Sequence, residues 1–349
     1  VKKISPLWQV VSLFCVCLFL TIACEVNRPA EEAPKQAAPA EKKAGPASTQ
    51  AQPGKMYRIG LVYFAPEEAA DTCMKGLFDR MREFGFEEGK NLQIEKTHAA
   101  GEISNIPMLF QNLDGQGLNA IVPMTTPCVA AACATVKKTP VVFTYVYDPV
   151  AAGAGKSFDD HLPFVTGTSS FPPVEDTVGM IRKVIPGVKT VGTLYNSSEA
   201  NSRKVISVAR EEFTKHAIKL EEVTIASTSE VVQAMQVLAS RDIQAFWITG
   251  DNTALQAFSG IGKVAGDSKL PLFINDPEFV DKGALMAVGI GWYETGRASA
   301  SKLARVLNGE SPAGIPFESY VVKKLVLNHD VAKKLGIKFS EDVLKQAGQ

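Results

Sequence analysis

From Tyr57 onward the chain alternates short, apolar, β-branched runs with longer stretches of helical periodicity, and few folds accept that rhythm. Strands are predicted at Arg58–Phe64, Leu92–His98, Ala120–Met124, Pro140–Val146, Phe164–Gly167, Thr190–Tyr195, Leu220–Ile225, Ala245–Thr249, Pro271–Asn275 and Ala284–Gly289. Helices fit between them at Thr72–Phe84, Val129–Lys137, Val174–Val184, Ser202–His216, Ser229–Ala239, Ala254–Ala265 and Tyr293–Leu307. Continuous apolar strands separated by helices call for parallel sheets covered on both faces. Pro186-Gly187 and Asn308-Gly309 punctuate helix ends. Ten strands would make one very large sheet, whereas two smaller doubly wound sheets respect the size limit of a single core. The rhythm restarts near Val165, so the expectation is an α/β protein of two similar lobes.

Ahead of this body lie two segments of different character. Lys2 and Lys3 precede an almost wholly apolar run, Leu7 to Ala23, as in a secretory signal. The run is also close to the lower length limit of a membrane span, so an uncleaved anchor is the alternative. Leu20-Thr21-Ile22-Ala23-Cys24 resembles a bacterial lipobox, with Thr21 where Leu is usual. That resemblance implies cleavage after residue 23 and lipid attachment at Cys24, with buried methylenes holding the protein to the membrane. Residues 24–55, rich in Ala, Pro, Glu, Lys and Gln, are expected to be a disordered tether. Cys73, Cys128 and Cys133 remain in the body, and buried free thiols are the simplest expectation for them.

The formal net charge of +0 and the absence of a clustered basic patch argue against a nucleic-acid surface. His98, His161, His216 and His329 are scattered without metal-ligand spacing, and no G-x-S-x-G occurs. Gly155-Lys156-Ser157 matches the end of a P-loop, but Val150 stands where the upstream Gly is required. No cofactor or metal is expected. An acid/base pair of Asp148 and Asp251 would lack a nucleophile, so an exported hydrolase is the weaker alternative.

In doubly wound sheets, ligands bind beyond the carboxyl ends of the strands. Polar turns stand there: Glu67 after the first strand, Thr125-Thr126 after the third, Tyr147-Asp148 after the fourth. In the second half come Asn196, Ser198, Asn201 and Ser202, then Asp251-Asn252, then Asp276. Helix capping explains any one of them equally well.

Several segments occur together and in order: Tyr147-Asp148-Pro149-Val150, Pro186-Gly187-Val188, Leu194-Tyr195-Asn196 with Glu199-Ala200-Asn201-Ser202, and Asp251-Asn252-Thr253. Asp276-Pro277, Gly283-Ala284-Leu285 and Tyr293-Glu294-x-Gly296-Arg297 follow. Over residues 57 to 340 this resembles the ABC-transporter substrate-binding proteins whose studied members bind tryptophan or tyrosine. The pattern departs from the family at Thr125-Thr126, where Ala-Thr is common, and at Ser197, where Pro often follows Asn.

The resemblance implies the type I periplasmic-binding fold, with three chain crossings between lobes. The lobes would then be 56–165 plus about 286–320, and 166–285 plus about 321–349. It also implies a monomer that holds a zwitterion, most simply an amino acid, between its lobes and delivers it to an ABC permease. A ligand-binding sensor or scaffold would use the same cleft. Thr125, Thr126, Ser198 and Ser202 are the hydroxyl candidates for a carboxylate. Asp148 and Asp251, with Asn201 and Asn252, are the acceptors for an ammonium. Phe64, Tyr147, Tyr195 and Trp292 are the candidate apolar wall.

Overall fold

The computed structural model describes residues 47–349. The leader, Cys24 and the first part of the expected tether lie outside the described residues. The elements run β1 (Tyr57–Tyr63), α1 (Glu68–Glu83), β2 (Leu92–His98), α2 (Ile106–Asp114), β3 (Ala120–Pro123), α3 (Thr126–Thr135), β4 (Val141–Val146) and β5 (Val165–Ser169). Then follow α4 (Val174–Val184), β6 (Thr190–Asn196), α5 (Ala200–Lys215), β7 (Lys219–Ile225), α6 (Val231–Ala239), β8 (Ala245–Ile248), α7 (Asn252–Gln256), α8 (Phe258–Asp267) and β9 (Leu272–Ile274). The chain ends with β10 (Met286–Ile290), α9 (Trp292–Leu307), β11 (Glu318–Ser319), β12 (Lys323–Leu327), α10 (His329–Leu335) and α11 (Glu341–Gln346).

Two six-stranded sheets result, ordered β11-β5-β4-β3-β1-β2 and β12-β10-β9-β8-β6-β7. All pairings are parallel except β10 with β12. Both faces of the first sheet are covered, as its apolar strands require. Ile121 packs with Phe110, Cys128 and Val129 on one side. Its neighbours Ala120 and Val122 pack with Leu77, Met81 and Leu303 on the other, the two-residue alternation of a strand. In the second lobe Trp247, Phe246, Phe273 and Phe213 fill the core.

Each sheet changes winding direction once, between β1 and β3 and between β6 and β8. The carboxyl ends of these strands mark the crevice of each lobe.

Three crossings join the lobes: β5 to α4, β10 to α9, and β11 to β12. Side chains and backbone bind them together. Ser170 Oγ lies 3.0 Å from Thr295 Oγ1 and donates to the Tyr320 carbonyl at 2.5 Å, and Gly291 N–H donates to the Val322 carbonyl at 2.7 Å.

The expected lobe boundaries shift by a few residues. Residues 166–169 were assigned to the second lobe, but β5 pairs with β4 and β11 in the first sheet. Residues 286–290 were assigned to the first, but β10 lies between β9 and β12 in the second. A strand's sequence reports its burial, not which sheet edge receives it.

The expected tether also ends earlier than residue 55. Ala51 N–H donates to the Phe84 carbonyl at 2.8 Å, and Asn308 Nδ2 donates to the carbonyls of Ser48 and Gln50. Ala47 N–H reaches Glu310 Oε2 at 2.8 Å. These backbone groups pin residues 47–52 to the ends of α1 and α9, and Ala51 packs on the first lobe's core.

Candidate functional site

The two crevices face each other across a narrow cavity of ≈ 20 Å³, room for about one water molecule and far below the roughly 300–1,000 Å³ usual for ligand sites, so the lobes must part to admit a ligand. Thr125, Thr126, Tyr145, Tyr147 and Trp292 line it from the first lobe, and Asn201, Gly250, Asn252, Leu255 and Asp276 from the second. None of these residues is basic.

The first-lobe wall is aromatic. Trp292 opens α9 and meets Tyr145 edge to face with ring centroids 4.3 Å apart. It lies nearly parallel to Tyr147, at 6.0 Å and 14°. Its Nε1 donates across the seam to Asp276 Oδ1 at 2.8 Å. Tyr145 Oη donates to Glu67 Oε1 at 2.7 Å, anchoring the ring from behind.

Beside this wall stands the start of α3. Thr125 precedes it at φ 82, and Tyr145 sits at φ 57 where β4 loses register. Neither is glycine, so each conformation costs on the order of 1–3 kcal/mol, a cost that tends to collect at ligand sites. The Thr125 hydroxyl makes no capping bond, and Pro127 within the first turn leaves one fewer N–H there.

Buried polar atoms without a partner among the described residues cluster here. Six of the nine such atoms are Thr125 Oγ1, Tyr147 Oη, Asn201 Oδ1, Thr249 Oγ1, Asp276 Oδ2 and Glu67 Oε2; the other three are Thr168 Oγ1, Thr193 Oγ1 and Glu278 Oε2. An unsatisfied buried group costs roughly 1–3 kcal/mol, so this concentration at one seam distinguishes it from ordinary packing.

The carboxyls share one electrostatic character. Burial pushes Asp276 up to about 6, opposed by the Trp292 N–H and the Tyr147 hydroxyl. Burial raises Glu67 to about 8, and the negative charges of Asp276 and Glu278 add to the effect. Burial and then Asp276 raise Glu278 to about 7. Lys282 opposes the Glu67 shift and ion-pairs with Glu68 at 3.4 Å.

Of the residues singled out by sequence, Thr125, Thr126, Tyr147, Asn201, Asn252, Asp276 and Trp292 line the cavity. Glu67 stands just behind it, holding Tyr145. The rest are engaged elsewhere. Asp148 Oδ1 accepts from Ala151 N–H at 2.9 Å, closing a turn. Asp251 accepts from Asn196 N–H, Ser202 Oγ and Ala254 N–H at 2.7, 2.6 and 2.8 Å. Its carboxylate is therefore committed to the scaffold, and so is Ser202. Asn196 donates to Thr253 Oγ1 and accepts from the Ser198 N–H and hydroxyl. Tyr195 Oη receives Arg210 at 3.2 Å on the lobe's outer side. Phe64 is packed in the first lobe's core.

Tyr145, Gly250 and Leu255 complete the cavity without having been singled out by sequence. Tyr145 reads as one more core residue of an apolar strand, and only the loss of register after Phe143 turns it to the cleft. Glu199 is not among the residues the sequence singles out as candidates. It is the organiser of the second-lobe turn, accepting from the N–H groups of Asn252 and Thr253 and from the Asn252, Thr253 and Asn201 side chains.

Comparison with known proteins agrees with this architecture. The pattern of the family described as ABC transporter substrate binding protein matches residues 58–349. A tyrosine-binding protein of Clostridioides difficile is 27% identical over 292 residues, 83% of this chain and 84% of the relative. The L-Trp complex of an ABC domain from Streptococcus pneumonia is 29% identical with a TM-score of 0.81, covering 84% of this chain and 99% of that one. The ligand-free, open structure of a substrate binding protein with adhesive properties from Clostridium difficile is 27% identical with a TM-score of 0.63, covering 82% and 97%.

Proposed function

Because this chain belongs to the ABC transporter substrate-binding protein family, a family of solute-binding proteins rather than enzymes that work on the extracytoplasmic side, we propose that its interlobe cavity captures a free aromatic amino acid for import. Relatives that bind tyrosine and tryptophan support this class. The observation that carries the reading is the set of unpaired buried donors and acceptors, from both lobes, around an aromatic wall.

The roles follow from the chemistry of each atom. Thr125 and Thr126, with the amides that begin α3, receive the α-carboxylate, since a helix N-terminus favours an anion. Asp276 Oδ2 and Asn201 Oδ1 accept from the α-ammonium. Tyr145, Tyr147 and Trp292 enclose the side chain. Closing the lobes without a ligand would bury these polar atoms unpaired, so the ligand tips the hinge toward closure by satisfying them.

An ABC permease in the membrane is the receiving partner, with the binding protein acting as a monomer held at the membrane by lipid on Cys24. Processing that is insensitive to globomycin would remove the lipid anchor from this picture. The cavity reading is tested by thermal shift. At a hundredfold excess over Kd a ligand stabilises by about 2.7 kcal/mol. With an unfolding entropy near 2.1 cal/mol/K per residue, that raises the Tm of a roughly 300-residue body by about 4 °C. L-tryptophan, L-tyrosine and L-phenylalanine should be tried; no shift with any of them rejects the aromatic assignment.

A further inference from the structure

Gly250 lies where the two lobes meet. It follows β8 in the second lobe, and Tyr147 reaches it from the end of β4 in the first. A Cβ built on Gly250 would stand 2.1 Å from Tyr147 Oη and 2.7 Å from its Cζ, with Asp276 Oδ2 at 3.1 Å. Real Cβ atoms do not approach other atoms that closely, so something must move. The backbone of Gly250 does not demand glycine, since its φ is outside the left-handed range. The requirement comes first from Tyr147, with Asp276 Oδ2 a second, milder contact.

Tyr147 has little freedom to yield. Its ring is 6% exposed, runs nearly parallel to Trp292, and packs against Phe171 with centroids 6.3 Å apart. Trp292 is itself held by its bond to Asp276. Moving the phenol out of the space beside Gly250 must therefore break the packing on Trp292 and Phe171 or swing the first lobe away.

We propose that Gly250 is the positioning residue for closure: the absence of a side chain there admits the Tyr147 phenol into the second lobe and so allows the cleft to shut around its ligand. The large residue of one lobe and the missing side chain of the other form a matched pair. This goes beyond the amino-acid reading, because it concerns how the lobes meet whatever the ligand is. The backbone also superposes better on the tryptophan-bound relative than on the open one, at similar identity.

The test traps the closed form without relying on the ligand. Glu68 and Lys282 face each other across the seam at 3.4 Å, so Glu68→Cys with Lys282→Cys provides a thiol pair for a short bis-maleimide, scored by peptide mass spectrometry. Cys73 and Cys128 are buried and stay out of the reaction, and the partly exposed Cys133 is changed to Ser in every variant. Adding Gly250→Ala should reduce the intramolecular cross-link at least fivefold, with and without L-tryptophan. Adding Tyr147→Ala to Gly250→Ala should restore the cross-link measured without ligand. Cross-linking of Gly250→Ala at the parent rate overturns the proposal, as does loss of cooperative unfolding in Gly250→Ala, which would make the glycine a folding requirement. If L-tryptophan and L-tyrosine leave the parent rate unchanged, it is the amino-acid reading that fails, and the comparison of Gly250→Ala with its parent still decides the closure proposal.

Discussion

Lowering the pH from 7 to 5 should weaken amino-acid binding by about tenfold, and Asp276 is the reason. Its Oδ1 is already taken by the Trp292 N–H, and Oδ2 has no well-formed hydrogen bond, with only the Tyr147 hydroxyl close by. Burial raises its pKa to about 6. An incoming ammonium needs the carboxylate form and would pull that pKa back down. With a pKa near 6, roughly nine-tenths of the unliganded sites are ionised at pH 7 and one-tenth at pH 5. Binding at pH 5 must therefore first remove a proton, which costs about 1.4 kcal/mol. The groups facing Asp276 sharpen the prediction. Glu67, raised to about 8, stays protonated throughout this window, and the Glu278 pKa of about 7 makes its ionisation an added attraction for a cation as pH rises. The stability of the unliganded closed form has the opposite sign. Carboxyls raised by folding stabilise below their unfolded values near 4 and lose that contribution as pH climbs through 6 to 8. Calorimetric titration with L-tryptophan at pH 5, 6 and 7, in buffers of different ionisation enthalpy, measures both affinity and proton release. Asp276→Asn should weaken binding at pH 7 by about 2 kcal/mol and flatten the profile. A wild-type affinity that is constant from pH 5 to pH 7 would refute the assignment of Asp276 to the ammonium.

Other substitutions probe the scaffold. Asp148→Ala, at a residue that closes a turn rather than lining the cavity, should change Kd by less than about threefold, a cost under 1 kcal/mol, as read by the same titration. Glu199→Ala strips the acceptor from the amides of Asn252 and Thr253 and should destabilise by about 3 kcal/mol, lowering Tm by at least about 5 °C at this size. Gly179→Ala places a methyl into open space on α4 and should stabilise by about 0.5–1 kcal/mol in denaturant unfolding.

The α/β rhythm was legible because parallel strands buried on both faces leave a continuous apolar signal. Val174–Val184 coincides with α4. Helix starts were read late, as at Thr72 for Glu68, because the first turns carry acidic or small residues rather than apolar periodicity. Edge strands β11 and β12 escaped notice: Glu318 and Ser319 are exposed, and Lys323–Leu327 is only half-buried, so neither has the apolar run of a central strand. At the site, strand-end reasoning located the crevice but could not separate ligand-facing groups from caps. Asp251 and Asp276 look alike in sequence. One has its oxygens filled by Asn196, Ser202 and Ala254, and the other keeps an oxygen free. That difference depends on neighbours 49 to 55 residues away for Asp251, which no local pattern contains.

The pinning of residues 47–52 to the ends of α1 and α9 has a mechanical consequence. Tension arriving along the N-terminal chain enters the first lobe at Phe84, Asn308 and Glu310 and bypasses the three crossings. One jaw acts as the stator and the other as the moving arm. A pull transmitted through residue 47 would therefore be carried by one lobe and not through the crossings, leaving the balance between open and shut to the solute.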